Sequence, residues 1–257
     1  MIVLLSYPIT GRTPLFPGTA PVELGTDDGP ERPTPVSTVV RFNAHSGTHI
    51  DAPRHFCPLG LTVQEAIGPI NEYATVLCLD VPAEGTMALT EGHLPHMPAS
   101  HQVDGVLIRT GTHRRRADAQ AYSADHPFLT SPLTRHLVEW FPRLRILGID
   151  CVSLAHPDHV DEGAEVHRAL LCRDRPILIL EDMDLSYNGL ARTSFRLIVV
   201  PVLHDRLDGT PAVVLAILPD PWSEEQVVQL EGGKKDKERD GDDHGGNSRP
   251  GRPDPGR

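Results

Sequence analysis

Four potential metal ligands crowd one short stretch of this 257-residue chain. The 43–56 segment reads NAHSGTHIDAPRHF and places His45, His49, Asp51 and His55 within eleven residues. Imidazole is the commonest protein metal ligand and the side chain that titrates near neutrality. Two imidazoles with a carboxylate suit a borderline-hard divalent ion, zinc or manganese. Three such ligands leave coordination positions open, and water held there loses a proton near neutral pH to become a hydrolytic nucleophile. His55 either joins the ligands or stands beside the ion as a proton shuttle. The competing reading, a polar surface turn, is weakened by four ligand-type side chains lying so close. All four positions are odd, so an extended chain would turn them to one side. Gly47 allows a close turn and Pro53 forbids a continuous helix. The site is therefore expected at a strand end or in a loop, not on a helical HExxH frame.

A second region could complete it. Asp150 closes the run RILGID, and the loop 153–161 (SLAHPDHVD) precedes a helix carrying His167. Glu181 ends the apolar run ILIL. An acid there is costly unless paired or metal-bound. Taken alone, Glu181 reads more readily as a strand end turned to solvent, and His167 as a helix-surface histidine. His156 and His159 read as a solvated loop that could line the pocket. His93 and His96 (HLPHMP) lack helical continuity and a neighbouring carboxylate, so no ligand role is assigned to them. The GTH at 111–113 echoes 47–49 without a following acid, and the basic triplet 114–116 reads as solvated. Phe16, Phe42 and Phe56 are the aromatic candidates for a pocket wall, although phenylalanine more often packs in a core.

The elements that must position these residues are mostly strands. Apolar or β-branched runs predict strands at 2–5, 36–42, 74–80, 106–109, 145–150, 177–181, 195–202 and 212–218. Several are continuous apolar runs, as in a sheet covered on both faces. Thr130-Ser131-Pro132 supplies a cap and a first-turn proline for a helix carrying Leu133, Leu137, Trp140 and Phe141, stopped by Pro142. Shorter helices are predicted at 62–67 and 90–94, each from a threonine cap, and another at 162–171. The proline- and glycine-rich stretch 8–35 predicts little regular structure. The fold class is α/β, one domain with a strand-rich mixed sheet.

Composition sets the limits of that domain. Residues 231–257 contain none of AVILMFWYC; fourteen of the 27 are charged, seven of each sign, and seven are glycine. With nothing to bury, 231–257 is expected to be a disordered polar tail, leaving 1–230 as the folded domain. The net charge of -11 then lies wholly in the body, which disfavours nucleic acid and anionic membrane as partners. No segment approaches the roughly 18 apolar residues of a membrane span, and the N-terminus does not read as a signal peptide. Cys57, Cys78, Cys151 and Cys172 are scattered without CxxC spacing and read as buried thiols of a cytoplasmic protein.

The run HSGTHIDAPRH matches an HxGTHxDxPxH signature and resembles that of the metal-dependent cyclase family, which includes bacterial kynurenine formamidases and isatin hydrolases. LSYPITGRTPLFPG, VLIRTGTH, HPFLTSPLTRHLVEW, LGIDCVSL, EVHRALL and ILILED are similar to further family segments, in the family's order, along residues 3 to about 218. The resemblance implies a swivelling β/β/α fold and a homodimer or homotetramer. It implies His45, His49 and Asp51 as metal ligands, His167 and Glu181 as ligands of a second ion with the aspartate bridging, and His55 as general acid/base. A family member with Glu181 resembles the two-zinc formamidases more than the isatin hydrolases, where one manganese suffices. The implied reaction is hydrolysis of a small amide, foremost N-formyl-L-kynurenine to L-kynurenine and formate, by metal-bound hydroxide. Hydrolysis of a cyclic amide such as isatin or of a lactone is the alternative, and a non-catalytic metal-binding protein is the rival from another class.

Overall fold

A computed structural model describes residues 1–26, 37–68, 70–95 and 100–219. Residues 1–218 form one compact unit. The expected tail, 231–257, and His96 lie outside the described residues.

Twelve strands and four α-helices make up the described chain. The strands are β1 (Ile2–Leu4), β2 (Glu23–Thr26), β3 (Thr38–Arg41), β4 (His49–Asp51), β5 (Asn71–Asp80), β6 (Ala88–Leu89), β7 (Gly105–Arg109), β8 (Phe128–Leu129), β9 (Ile146–Ile149), β10 (Leu178–Glu181), β11 (Phe195–Pro201) and β12 (Gly209–Ile217). The helices are α1 (Val63–Ala66), α2 (Ala119–Ala124), α3 (Ser131–Trp140) and α4 (Val160–Leu171). Each run expected to be a strand contains one. β2, inside the stretch expected to be irregular, pairs with β3, and α2 was not anticipated. The 90–94 run forms only a 3-10 turn, Glu91–His93.

The main sheet runs β12-β11-β5-β7-β9-β10-β4, and β4 pairs back onto β12, so these strands close into a barrel. β5, β7, β9 and β10 are parallel neighbours; the remaining pairings of the main sheet are antiparallel. The nine residues of β12 serve three partners, β11 along one edge and β4 and β1 in turn along the other. Gly209, Thr210 and Pro211 face β4, and Leu215 to Ile217 face β1.

Alternation along the parallel strands feeds two cores. On β7, Leu107 points into a cluster with Tyr73, Val76, Leu180, Leu197 and Val214. Its neighbours Val106 and Ile108 point the other way, onto Leu133 and Leu137 of α3 and Val166 and Leu170 of α4. That two-sided burial is why these strands read as unbroken apolar runs. Helix α3 starts where the Thr130 hydroxyl accepts from the Leu133 amide at 3.5 Å, with Pro132 in its first turn.

The cysteine expectation is corrected in part. Cys78 and Cys151 are buried thiols, but Cys57 and Cys172 form a disulfide with 5.8 Å between Cα atoms. They are 115 residues apart, a pairing that spacing cannot reveal.

Candidate metal centre

The motif is built around β4, which lies between β10 and β12. His49 and Asp51, two residues apart, share one face of that strand, and register places Glu181 of β10 directly opposite His49. Before the strand, Gly47 turns the chain at φ 69, where a side chain would be strained and would crowd Ile9 at 3.0 Å. After it, Pro53–His55 forms a 3-10 turn that carries His55. Helix α4 adds His167. The expectation that alternation alone aligns all four odd positions thus holds for His49 and Asp51. A turn on either side brings in His45 and His55.

Four donor groups converge in a buried cluster. His49 Nε2 lies 3.4 Å from Asp51 Oδ1 and 3.4 Å from Glu181 Oε2. His167 Nε2 lies 3.4 Å from Glu181 Oε1 and 3.9 Å from Asp51 Oδ2. The other ring nitrogens are committed to backbone carbonyls. His49 Nδ1 donates to Gly47 O at 2.8 Å, and His167 Nδ1 to Gly163 O at 2.7 Å. Both rings are therefore held with Nε2 free to face the carboxylates, the orientation a metal-ligating histidine needs. Ser153 Oγ and the Leu154 amide donate to Glu181 Oε1 at 2.9 and 2.7 Å. The solvent-facing readings of Glu181 and His167 are overturned: both are buried, 4% and 2% exposed.

His45 and His55 occupy the more open side. His45 Nδ1 bonds Asp51 Oδ1 at 2.7 Å, and the two rings lie 4.1 Å apart. Donor atoms fall into two sets, His49/Asp51/Glu181 and His45/Asp51/His55, each within 4.8 Å, with Asp51 common to both. Two atoms of this cluster, His49 Nε2 and Asp51 Oδ2, are buried without a hydrogen-bond partner. A buried ring nitrogen and a carboxylate oxygen without partners are expensive unless a counter-charge, a metal ion or protons on the imidazoles, satisfies them. The donor set fits a divalent metal ion.

The acids and imidazoles of the cluster shift one another's titration. Burial alone would neutralise Asp51, but the His45 and His49 imidazoles hold it well below the usual carboxylate range. Glu181 falls to about 2, burial being outweighed by the adjoining His167 and His49 imidazoles. Burial likewise opposes charge on His45, yet Asp51 and Asp208 lift it to about 9. His49 and His167 are also raised against burial by the two carboxylates. Protons on the imidazoles thus balance the acids where a divalent cation otherwise would.

The cluster floors a cavity of about 290 Å³, walled by Phe16, Thr19, Asn43, Phe56, Val152 and Ala155. Phe56 stacks on His167 at 4.5 Å. Phe42 is exposed and does not line it. A larger cavity, about 680 Å³, flanks the Cys57–Cys172 disulfide, but its lining holds no ligand cluster, and chemistry assigns the site to the smaller one.

Several residues read as solvated are not. His156 is fully buried, with Nε2 donating to Ala124 O and Nδ1 accepting from the Asp158 amide. His159, by contrast, is exposed as a solvated loop residue should be; it stacks on Phe128 and does not line the cavity. Arg116, from the basic triplet, forms a two-pronged pair with Asp182 at 2.8 and 2.6 Å and lies 3.8 Å over the Tyr7 ring. Asp150 does not join the donor cluster; it binds Thr110, Gly111 and His113, the histidine of the second GTH. His93 turns its Nδ1 to the Thr90 amide.

Asp208 is the residue sequence reasoning missed. Its Oδ2 bonds both His45 Nε2 and His55 Nδ1 at 3.0 Å. It follows His55 by 153 residues in a turn, RLDGT, whose only local signal is an Asp-Gly pair.

Comparison with known proteins agrees with this geometry. Residues 3–156 match the family model "Putative cyclase". The chain belongs to the cyclase family. Among its relatives, a kynurenine formamidase from Bordetella avium is 28% identical over 216 residues, 80% of this chain and 93% of that protein. Another from Bacillus cereus is 27% identical over 213 residues, 80% and 92%. The fold is that of isatin hydrolase A. The Labrenzia aggregata structure, bound to benzyl benzoate, matches with a TM-score of 0.65 at 20% identity over 86% of this chain and 94% of that one. The Ralstonia solanacearum structure matches at 0.67 and 18% identity, over 85% and 92%. The strand-rich α/β fold expected from the resemblance is the one observed. Among the described residues, no helix is long and apolar enough to cross a membrane.

Proposed function

We propose that this chain is a metal-dependent amidohydrolase whose substrate is N-formyl-L-kynurenine, released as L-kynurenine and formate. The observation that carries the reading is the cavity floor. There His49 Nε2 and Asp51 Oδ2 are buried without partners between two imidazoles whose orientation is fixed from behind. Likeness to kynurenine formamidases over most of both chains supports the substrate.

His45, His49, Asp51, His167 and Glu181 would hold the metal. When bound, a divalent ion polarises the scissile carbonyl and lowers the pKa of water toward neutrality. Phe16 and Phe56 flank the space for an aryl ring. His55, lining the same cavity, passes a proton to the departing arylamine nitrogen, a poor leaving group until protonated. Nitrogen and oxygen donors without thiolate take zinc or manganese, and five proposed ligands grouped around the Asp51 carboxylate, more than one tetrahedral ion takes, favour two ions. The protein acts as a homodimer or homotetramer. Apolar side chains exposed on the β2–β3 ribbon, Leu24, Val39 and Val40, support self-association.

Elemental analysis of purified protein, followed by assay on N-formylkynurenine with and without chelator, tests the reading. Bound zinc or manganese and chelator-sensitive release of formate are expected. Opening of isatin in place of formamide hydrolysis would move the assignment to a cyclic amide. Bound metal with turnover of neither would leave a non-catalytic metal-binding protein.

A further inference from the structure

We infer that Asp208 is a positioning residue for proton transfer: it fixes the proton of His55 on Nδ1 and leaves Nε2 as the nitrogen that serves the substrate. The role given to His55 rests on the amidohydrolase reading above; the hydrogen bond behind it does not. Asp208 Oδ2 meets His55 Nδ1 at 3.0 Å, and a carboxylate oxygen can only accept there, so the ring nitrogen carries the proton. With Nδ1 committed, only Nε2 remains for chemistry in the cavity that His55 lines. An acid behind an imidazole that selects its tautomer and steadies its cationic form is a recurrent catalytic device.

The support for Asp208 is built into the barrel. Its backbone carbonyl accepts from the Ala52 amide at 2.8 Å, one residue past Asp51. The carbonyl of its neighbour Leu207 accepts from the Val63 amide at 2.9 Å, at the start of α1. Gly209, next in sequence, lies so close to His45 that a Cβ would come within 2.3 Å of the ring. The turn is thus pinned on both sides and pressed against the histidine pair. The same Oδ2 reaches His45 Nε2 at 3.0 Å, so one carboxylate spans a proposed ligand and the proposed acid. It holds their rings tilted together, 32° between planes.

The test compares Asp208→Asn, Asp208→Ala and His55→Ala with wild type on N-formylanilines whose leaving amines differ in basicity. An aryl formate, whose phenolate leaves unprotonated, serves as control. For both Asp208 variants kcat should fall about 10- to 100-fold on a basic leaving amine, within the usual range for acid–base assistance. With metal supplied at saturation, because Asp208 also backs the proposed ligand His45, KM should stay near wild type, the loss should shrink on the aryl formate, and adding Asp208→Asn to His55→Ala should cost little more. A loss equal for all leaving groups, or in proportion to lost metal, would overturn the proposal. A readout independent of turnover is the nitrogen-15 spectrum of the histidine rings, with His55 assigned by its absence in His55→Ala. Wild type should show the proton on Nδ1, and Asp208→Ala a mixture or the Nε2 form. An unchanged tautomer overturns the proposal even if no formamide is hydrolysed, and a changed one upholds it should the substrate assignment fail.

Discussion

Glu181 and Asp182 are consecutive, both buried, and used in opposite ways. Asp182 is fully matched: Arg116 takes both of its oxygens, and the Tyr122 hydroxyl donates to Oδ1 at 2.7 Å. Asp150 nearby is matched in the same manner by Thr110, Gly111 and His113. Glu181 instead belongs to a group in which two carboxylates face two imidazoles and polar atoms are left over. Burial of charge is common to both regions, so burial does not mark the site. Two unpaired atoms within one cluster of ligand-type side chains, His49 Nε2 and Asp51 Oδ2, do; the other buried unpaired atoms among the described residues, Ser46 Oγ, His126 Nε2 and His136 Nε2, belong to neither donor set. A satisfied network fixes the fold, whereas an unsatisfied one with prearranged donors waits for a ligand.

Substitutions should separate the two regions. The largest effect is expected for Asp51→Asn, which removes the carboxylate common to both donor sets. Activity should fall by more than the roughly 10- to 100-fold typical of losing an outer partner, and elemental analysis should find the metal gone. Full metal and full activity would mean that Asp51 is not a ligand. Arg116→Met should do the reverse, stranding Asp182 as an uncompensated buried charge at a cost of about 3 kcal/mol. A lowered urea midpoint with metal content retained is the expected result; lost metal at undiminished stability would erase the distinction between the regions.

The smallest effect concerns pH and should appear only without metal. His45, lifted to about 9 in the fold, contributes stability that is complete below its ordinary pKa near 6.5 and is lost as pH rises through 9. Glu181, lowered to about 2, contributes stability that is present above 4.5 and lost as pH falls toward 2. Melting temperature of the chelated protein should therefore decline on the alkaline side from about pH 6.5. The loaded protein should lack that decline, because its ligand imidazoles have already given up their protons, and should lose metal in acid. Identical profiles with and without metal would place the ion elsewhere.

The metal motif was legible because its residues are close in sequence and their types are rare in combination. Strands were legible because two-sided burial writes continuous apolar runs, as in the ILIL before Glu181. What the sequence hid was pairing at a distance. Nothing local says that Arg116 reaches Asp182, that Cys57 meets Cys172, or that Asp208 returns to His55 after a long excursion. Charge and polarity predict solvent exposure for Arg116 and His156, as they do for such residues on average. The exceptions are residues whose partners arrive from other strands. His167 and Glu181 sit between these cases: each is ambiguous alone, and only closure of the barrel onto β4 brings them beside a motif more than a hundred residues earlier.

The disulfide has a practical side as well. It makes the segment between Cys57 and Cys172 a covalent ring, so a protease cut anywhere inside it leaves one molecule, not two fragments. Nicked preparations would migrate as intact chain on a gel run without thiol and separate only after reduction. Quality control of this protein accordingly calls for both gels, and a preparation pure by one alone can carry broken chains whose His55 and His167 remain tethered.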